Sequence, residues 1–280
     1  MKIRTFEVCA GYDSQLMALE RLKKNHSDFD YECIGWSEIE PSAIALHNAC
    51  FPSLSGKNFG DMTKIDWSKV KDFDLLTYST PCQSVSQAGK QKGIEEGSNT
   101  RSSILWFTRN AIITKRPKYL LMENVEALVQ TKFIGFFNKW RKELESYGYV
   151  NYAKVINAAD CGVPQNRKRV FMLSIRNDGD KMDYHFPRKT KLEKHLVDVL
   201  EENVDEKYFF SDDLLCKEKF VSNEWKEPMS AAIRTRSEGK WIKGEKHSPK
   251  VELGKNIANT ITSASKDSLV VLGETRLCIR

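Results

Sequence analysis

The chain has no cysteines paired at CxxC spacing. Its seven cysteines (Cys9, Cys33, Cys50, Cys82, Cys161, Cys216 and Cys278) are scattered and odd in number. Such a set argues against a disulfide framework and a zinc site, and for reduced thiols in a cytoplasmic protein. Histidine is sparse as well: five residues, none at HxxxH or HExxH spacing, so no metal is expected. No stretch approaches the roughly 20 apolar residues that span a membrane. The N-terminus lacks the apolar run of a secretion signal. No GxGxxG follows the first strand-like segment, which argues against a nicotinamide-dependent dehydrogenase. Internal repeats and low-complexity tracts are absent too.

What is there points to a globular α/β protein. The 280 residues suffice for one large domain and a smaller appended one. With 40% hydrophobic and 29% charged residues, a packed core is expected and wholesale disorder is not. The net charge of +6 leans towards a polyanionic partner. Strand-like and helix-like segments alternate over the first two-thirds, which predicts a doubly wound, mostly parallel sheet with helices on both faces. Strands are expected at Lys2 to Cys9, Tyr31 to Trp36, Phe73 to Tyr78 and Tyr119 to Met122, with a last pair at Val150 to Ile156 and Val170 to Ile175. Helices are expected after the first turn, carrying Leu16, Leu19 and Leu22, and over Ser103 to Thr114 and Phe133 to Leu144.

After Arg176 the chain turns polar, lysine-rich and irregular, which suggests domains of 1–176 and 177–280. Between Arg234 and Lys250, six basic residues surround Trp241 against only Glu238 and Glu245. Basic residues interleaved with an aromatic suit a nucleic-acid surface. A solvated loop face accounts for the same composition equally well.

Three motifs carry chemistry. Ser79-Thr-Pro-Cys-Gln-Ser-Val-Ser86 follows a strand directly, where an open α/β sheet presents reactive groups. Most isolated cysteines are small buried hydrophobes. The place of Cys82 after a strand, stiffened by Pro81 and followed by Gly89 and Gly93, favours a nucleophile. Glu123 closes the run Leu-Leu-Met, where an acid is costly to bury unless paired or functional. Parallel neighbouring strands would bring it to the same sheet edge as Cys82. An acid capping a strand end is the plainer reading. In Cys161-Gly-Val-Pro-Gln-Asn-Arg-Lys-Arg169, Arg167 and Arg169 project to one face of an extended chain and suit acceptor oxygens or a carboxylate. Alone, such a pair is usually a surface feature. A turn at Phe6 to Gly11, Glu38 after the second strand and Asp61 in a third turn form a candidate cofactor cradle; each alone is weak, and their order is what counts.

In this order and spacing, Pro81-Cys82-Gln83, Glu123-Asn124-Val125 and Gln165-x-Arg167-x-Arg169 resemble the DNA cytosine-C5 methyltransferases. The likeness runs from about residue 3 to residue 176. It implies Cys82 as nucleophile, Glu123 as the group that contacts and protonates cytosine, and Arg167 and Arg169 as organisers of the cytosine pocket. It also implies that Phe6, Gly11, Glu38, Ile39, Asp61, Met62 and Pro81 line an S-adenosylmethionine site. Residues 83–101 resemble the family's catalytic loop, and the basic region after 176 falls where the family keeps its target-recognition domain. Double-stranded DNA is the implied partner, in bacterial DNA methylation and restriction-modification, in the cytoplasm of a bacterium or of a virus-infected bacterial cell.

Two departures stand out. The first turn is poorer in glycine than the family's usual form, though Ala10 is small enough to fit. The family's closing motifs, Arg-x-Leu-Thr-Pro and a terminal Gly-Asn, do not occur in the sequence. Three expectations follow: one subunit of a split enzyme completed by a second polypeptide, a truncated and catalytically impaired DNA-binding protein on a methyltransferase scaffold, or a partial chain. An RNA-directed branch is disfavoured because its Cys-Phe-Thr tripeptide is absent.

Overall fold

The computed structural model describes residues 2–81, 101–178, 183–203, 205, 229–234, 241–242, 245–246, 250–253, 257–259, 269–272 and 276–279. Two compact units emerge. One comprises residues 1–155 and 169–186, the other 156–168 and 187–280. No helix among the described residues is long and apolar enough to cross a membrane.

The first unit is built on a six-stranded sheet. In chain order its elements are β1 (Lys2–Val8), α1 (Ser14–Asn25), β2 (Asp30–Ser37), α2 (Pro41–Cys50), β3 (Leu75–Tyr78), α3 (Thr108–Lys115), β4 (Tyr119–Val125), α4 (Ile134–Ser146), β5 (Tyr149–Asn157) and, after the two-residue β6 (Gln165–Asn166) of the other unit, β7 (Lys168–Arg176). The spatial order is β2-β1-β3-β4-β7-β5. Strands β2, β1, β3 and β4 run parallel, and β7 runs antiparallel to β4. Strand β1 therefore sits between partners on both sides, and from Thr5 to Val8 all four residues are buried. Burial on both faces is what a central parallel strand requires.

Alternation along β1 splits the core. Phe6 packs with Trp67, Phe73 and Phe59 at ring-centroid distances of 5.0, 5.4 and 5.3 Å. Phe6 and Val8 join the large cluster that extends to Leu76, Leu120, Met122 and Trp140. A smaller cluster holds Leu16, Tyr31, Cys33 and Trp36. At the other end of β3 the Arg4 guanidinium grips Asp74 through two bonds of 3.0 and 2.9 Å, and the Arg4 backbone N–H adds a third at 3.0 Å. These bonds, the side-chain ones first, hold the Asp74 carboxyl below its usual range.

Two segments differ from the sequence expectation. The segment expected as one helix over Ser103 to Thr114 is a 3-10 stretch over Arg101–Phe107 that passes into α3, which turns Leu105 and Trp106 into the core. The tail expected as irregular carries short strands: β8 (Met229–Arg234), β9 (Trp241–Ile242), β10 (Glu245–Lys246), β11 (Lys250–Leu253), β12 (Ala258–Asn259), β13 (Leu269–Leu272) and β14 (Arg276–Ile279). Four of them form a sheet in the order β11-β8-β13-β14, antiparallel throughout. Strand β12 pairs in parallel with β6, which ties the excursion 156–168 to its own unit. Strands of two to six residues carry too little alternation to register as a pattern.

Candidate active site

The strand order reverses between β1 and β3: β1 leads through α1 to β2 on one side, and the chain then crosses to β3 on the other. Open α/β sheets bind ligands at such a switch point, beyond the carboxyl ends of the strands. The candidate residues of the first unit gather along that edge.

Strand β1 ends at Val8, and Cys9 after it takes a left-handed conformation (φ 54°). The chain then turns through Ala10 to Asp13, closed by a bond of 2.8 Å from Asp13 N–H to Ala10 carbonyl. Gly11 adopts φ +59° inside this turn, a conformation side chains rarely tolerate, and a Cβ added there would meet no atom within 4 Å. The turn thus faces open space.

Glu38 closes β2 against it. Its carboxylate accepts backbone N–H groups from Gly11 (3.0 Å), Ile39 (2.8 Å) and Glu40 (3.0 Å). Beside this acid Ile39 is 64% exposed, and Phe59 is 45% exposed. The segment carrying Phe59 is sewn to β2 by Phe59 N–H to Trp36 carbonyl (2.8 Å) and Ser37 hydroxyl to Gly60 carbonyl (2.6 Å). Asp61 follows and caps the next turn, accepting from Thr63 N–H at 3.0 Å and Thr63 hydroxyl at 2.8 Å. Those bonds hold its carboxyl below the usual range. Met62 is buried, its sulfur 3.8 Å from Cys9 Sγ. Burial, then the nearby Glu38 and Asp61, push the Cys9 thiol up to about 12. The Phe6 ring has no accessible surface; it enters the site as the floor beneath Phe59.

Strand β3 ends next to β1, with Ser79 N–H bonded to Val8 carbonyl at 3.3 Å. Thr80 is buried and Pro81 half-buried. Cys82 and most of the segment 83–101 lie outside the described residues. The chain leading into Cys82 is nonetheless anchored. Asn124, buried on β4, donates its side-chain N–H to Thr80 carbonyl at 3.1 Å and accepts Val125 N–H at 2.9 Å.

Residues alternate across β4, so Glu123 lies on the opposite face from Asn124. Register places Val125 across from Arg169 of the antiparallel β7. Glu123 is two residues back on the same face, a diagonal neighbour within reach of a long side chain. Arg169 Nε meets Glu123 Oε1 at 3.1 Å, both side chains about one-fifth exposed. Arg167 belongs to the second unit. There its backbone N–H bonds Asn157 Oδ1 at 2.9 Å and its carbonyl accepts Ala158 N–H at 3.0 Å.

The structure therefore brings Gly11, Glu38, Ile39, Asp61, Met62, Pro81, Glu123 and Arg169 to the carboxyl edge of one sheet. Sequence reading gave no role to Cys9, Phe59 or Asn124, although Asn124 stands in the Glu123-Asn124-Val125 motif. Asn124 left a signal: it is a polar residue at the buried parity of an otherwise apolar strand. The left-handed backbone of Cys9 leaves none, because cysteine has no preference for it. Among the described residues no three His, Cys, Asp or Glu side chains converge as metal ligands would.

The family model for C-5 cytosine-specific DNA methylases matches residues 3–276. The type II methyltransferase M2.ScrFI of Lactococcus lactis subsp. cremoris is 36% identical, over 80% of this chain and 77% of that protein. The orphan methyltransferase M.SssI of Spiroplasma monobiae is 35% identical, over 74% of this chain and 67% of its own length. Among solved structures, the Entamoeba histolytica methyltransferase EhMeth superposes with a TM-score of 0.63 at 18% identity, over 81% of this chain and 70% of that one. The S. pombe Dnmt2 methyltransferase gives 0.56 at 20%, over 77% and 64%. At such identities the structural likeness is one of fold.

Proposed function

The chain belongs to the C-5 cytosine-specific DNA methylase family, and from that premise we propose that it moves a methyl group from S-adenosylmethionine to C5 of cytosine in double-stranded DNA through a covalent Cys82–C6 bond. The observation that supports this most is the Glu123–Arg169 ion pair, at the sheet edge where Asn124 tethers the strand end that leads into Cys82.

The residues at the switch point fit the methyl donor. Glu38, oriented by three backbone N–H groups, is an acceptor set for ribose hydroxyls. Exposed Ile39 and Phe59 suit the faces of an adenine ring. Asp61 would accept from the adenine amino group, and the uncrowded turn at Gly11 would admit the amino-acid end. When bound, S-adenosylmethionine supplies an electrophilic methyl group.

Cytosine C5 is too poor a nucleophile to take that methyl unaided. The Cys82 thiolate adds to C6, and the electron pair released makes C5 enamine-like. Glu123 delivers a proton to N3, which neutralises the adduct. Arg169 takes up the negative charge left on the Glu123 carboxylate, and the family resemblance gives Arg167 a part in organising the cytosine. Once C5 carries the methyl group, loss of its proton expels Cys82 by elimination. A stacked base is out of reach for all of this, so cytosine is flipped out of the duplex. Residues 177–280, with the basic run 234–250, form the target-recognition region. The two curated relatives named above come from bacteria, which supports a cytoplasmic setting in a bacterial cell.

The test is transfer of labelled methyl groups from S-adenosylmethionine to unmethylated duplex DNA by the 280-residue chain, beside Cys82→Ala. The expected result is incorporation that the substitution lowers by at least about a thousandfold, in keeping with loss of a covalent catalyst. With 5-fluorocytosine in the duplex the last elimination is blocked, and the chain should stay attached to DNA through Cys82. Methyl transfer unchanged in Cys82→Ala would overturn the mechanism.

A further inference from the structure

Behind the turn at Gly11 lies a group of ionisable side chains that the proposed chemistry does not use. Glu7 is 1% exposed, Asp13 1% and His47 0%. Neither carboxylate oxygen of Glu7 has a hydrogen-bond partner among the described residues. Burial, and then the Asp13 carboxylate, raise the Glu7 carboxyl well above the usual range.

Asp13 is the hub. It holds a left-handed backbone (φ 65°), strained for a residue other than glycine. Its Oδ1 caps α1 by accepting Leu16 N–H at 2.9 Å, and its backbone N–H closes the turn onto Ala10. Its Oδ2 faces His47 Nε2 at 3.5 Å. That distance lies within ion-pair reach, but neither atom meets hydrogen-bond geometry. The imidazole stacks on Trp36 at 3.6 Å between centroids, with 18° between planes, so its position is fixed. Burying the second oxygen of a carboxylate is costly without a donor or a countercharge. Among the described residues His47 is the side chain so placed.

This pair links the same two segments that Gly11 and Glu38 link at the surface. His47 stands on α2, which begins three residues after Glu38, and Asp13 ends the turn that carries Gly11. We propose that His47 and Asp13 are positioning residues for the S-adenosylmethionine site: a buried clamp that sets the turn against Glu38 without touching the ligand. The inference rests on the cofactor reading given above. It also explains a turn poor in glycine, since Asp13 offsets its backbone strain with a cap at one oxygen and His47 at the other.

The experiment compares S-adenosylmethionine affinity by calorimetry, and methyl-transfer rate at saturating cofactor, for the whole chain and three variants. His47→Leu removes the clamp. His47→Gln keeps an N–H that reaches for Asp13. Asp13→Asn keeps the α1 cap and tolerates the left-handed backbone but turns an amide towards His47. His47→Leu and Asp13→Asn are expected to weaken binding at least tenfold while the saturated rate stays within about twofold, and His47→Gln to recover most of the affinity. If His47→Leu does not fold, Asp13→Asn decides alone. A folded Asp13→Asn or His47→Leu that binds as the unaltered chain does would overturn the clamp, as would equal losses of affinity and rate in all three. An unaltered chain that binds no S-adenosylmethionine would instead overturn the cofactor reading.

Discussion

Glu123 and Cys9 show two fates for an ionisable side chain at one sheet edge. Glu123 is met by a guanidinium at 3.1 Å, and it was legible in the sequence because an acid directly after Leu-Leu-Met demands a reason. Cys9 was not, since nothing in its type or neighbours announces a left-handed backbone at a strand end. Its thiol, raised to about 12 by burial and by the two acids nearby, stays protonated at neutrality. A thiol is inert where a thiolate is not. Brief treatment of the folded chain with iodoacetamide at pH 8 should therefore leave Cys9 unmodified while the exposed Cys50 and Cys161 react, as peptide mass spectrometry would read. Early labelling of Cys9 would contradict a thiol held protonated by its half-buried setting and the two acids. Phe6, expected from the resemblance to line the cofactor site, is enclosed, its ring packed against Phe59, and sequence order alone does not show this.

At the scale of elements, strands with both faces covered were the easiest to read. The observed bounds of β1 to β4, β5 and β7 all lie within about three residues of the expected ones, though edge strand β5 keeps only Tyr149 buried. Helix α2 was missed because only His47 on it is buried, so no apolar stripe marks it. Pro41 at its first turn was the signal available. The seam between β2 and the segment after it depends on one residue without a side chain. A Cβ on Gly35 would lie 2.5 Å from Phe59 Cε2 and 2.8 Å from Phe6 Cε2. Phe59 is half exposed and has room to swing outwards; Phe6 is enclosed and has none. Gly35→Ala should cost about 1–3 kcal/mol, the usual range for overpacking, measured as a lower urea midpoint. It should also weaken cofactor binding, because the ring it displaces is a proposed wall of that site. A variant with unchanged midpoint and affinity would refute this packing.

The whole molecule is divided in a way its sequence did not suggest. A composition shift near residue 176 pointed to a single boundary, whereas the compact units exchange the chain three times, at 155/156, 168/169 and 186/187. The short excursion 156–168 carries the Gln165-x-Arg167 half of a motif whose other arginine, Arg169, pairs with Glu123 on the sheet. Composition could not reveal this, because thirteen residues are too few to shift an average. Family membership was readable from three short motifs, and it fixes the fold and the class of reaction.

The two-residue parallel bridge between Gln165-Asn166 and Ala258-Asn259 has a practical consequence for transplantation. A chimera that exchanges only the chain after residue 186 would join strands of two different ancestries across that bridge. Exchanging residues 156–168 together with everything after 186 keeps each pairing within one lineage. Soluble expression and retained cofactor binding in the second kind of hybrid, and their loss in the first, would mark the two stretches as one heritable cassette.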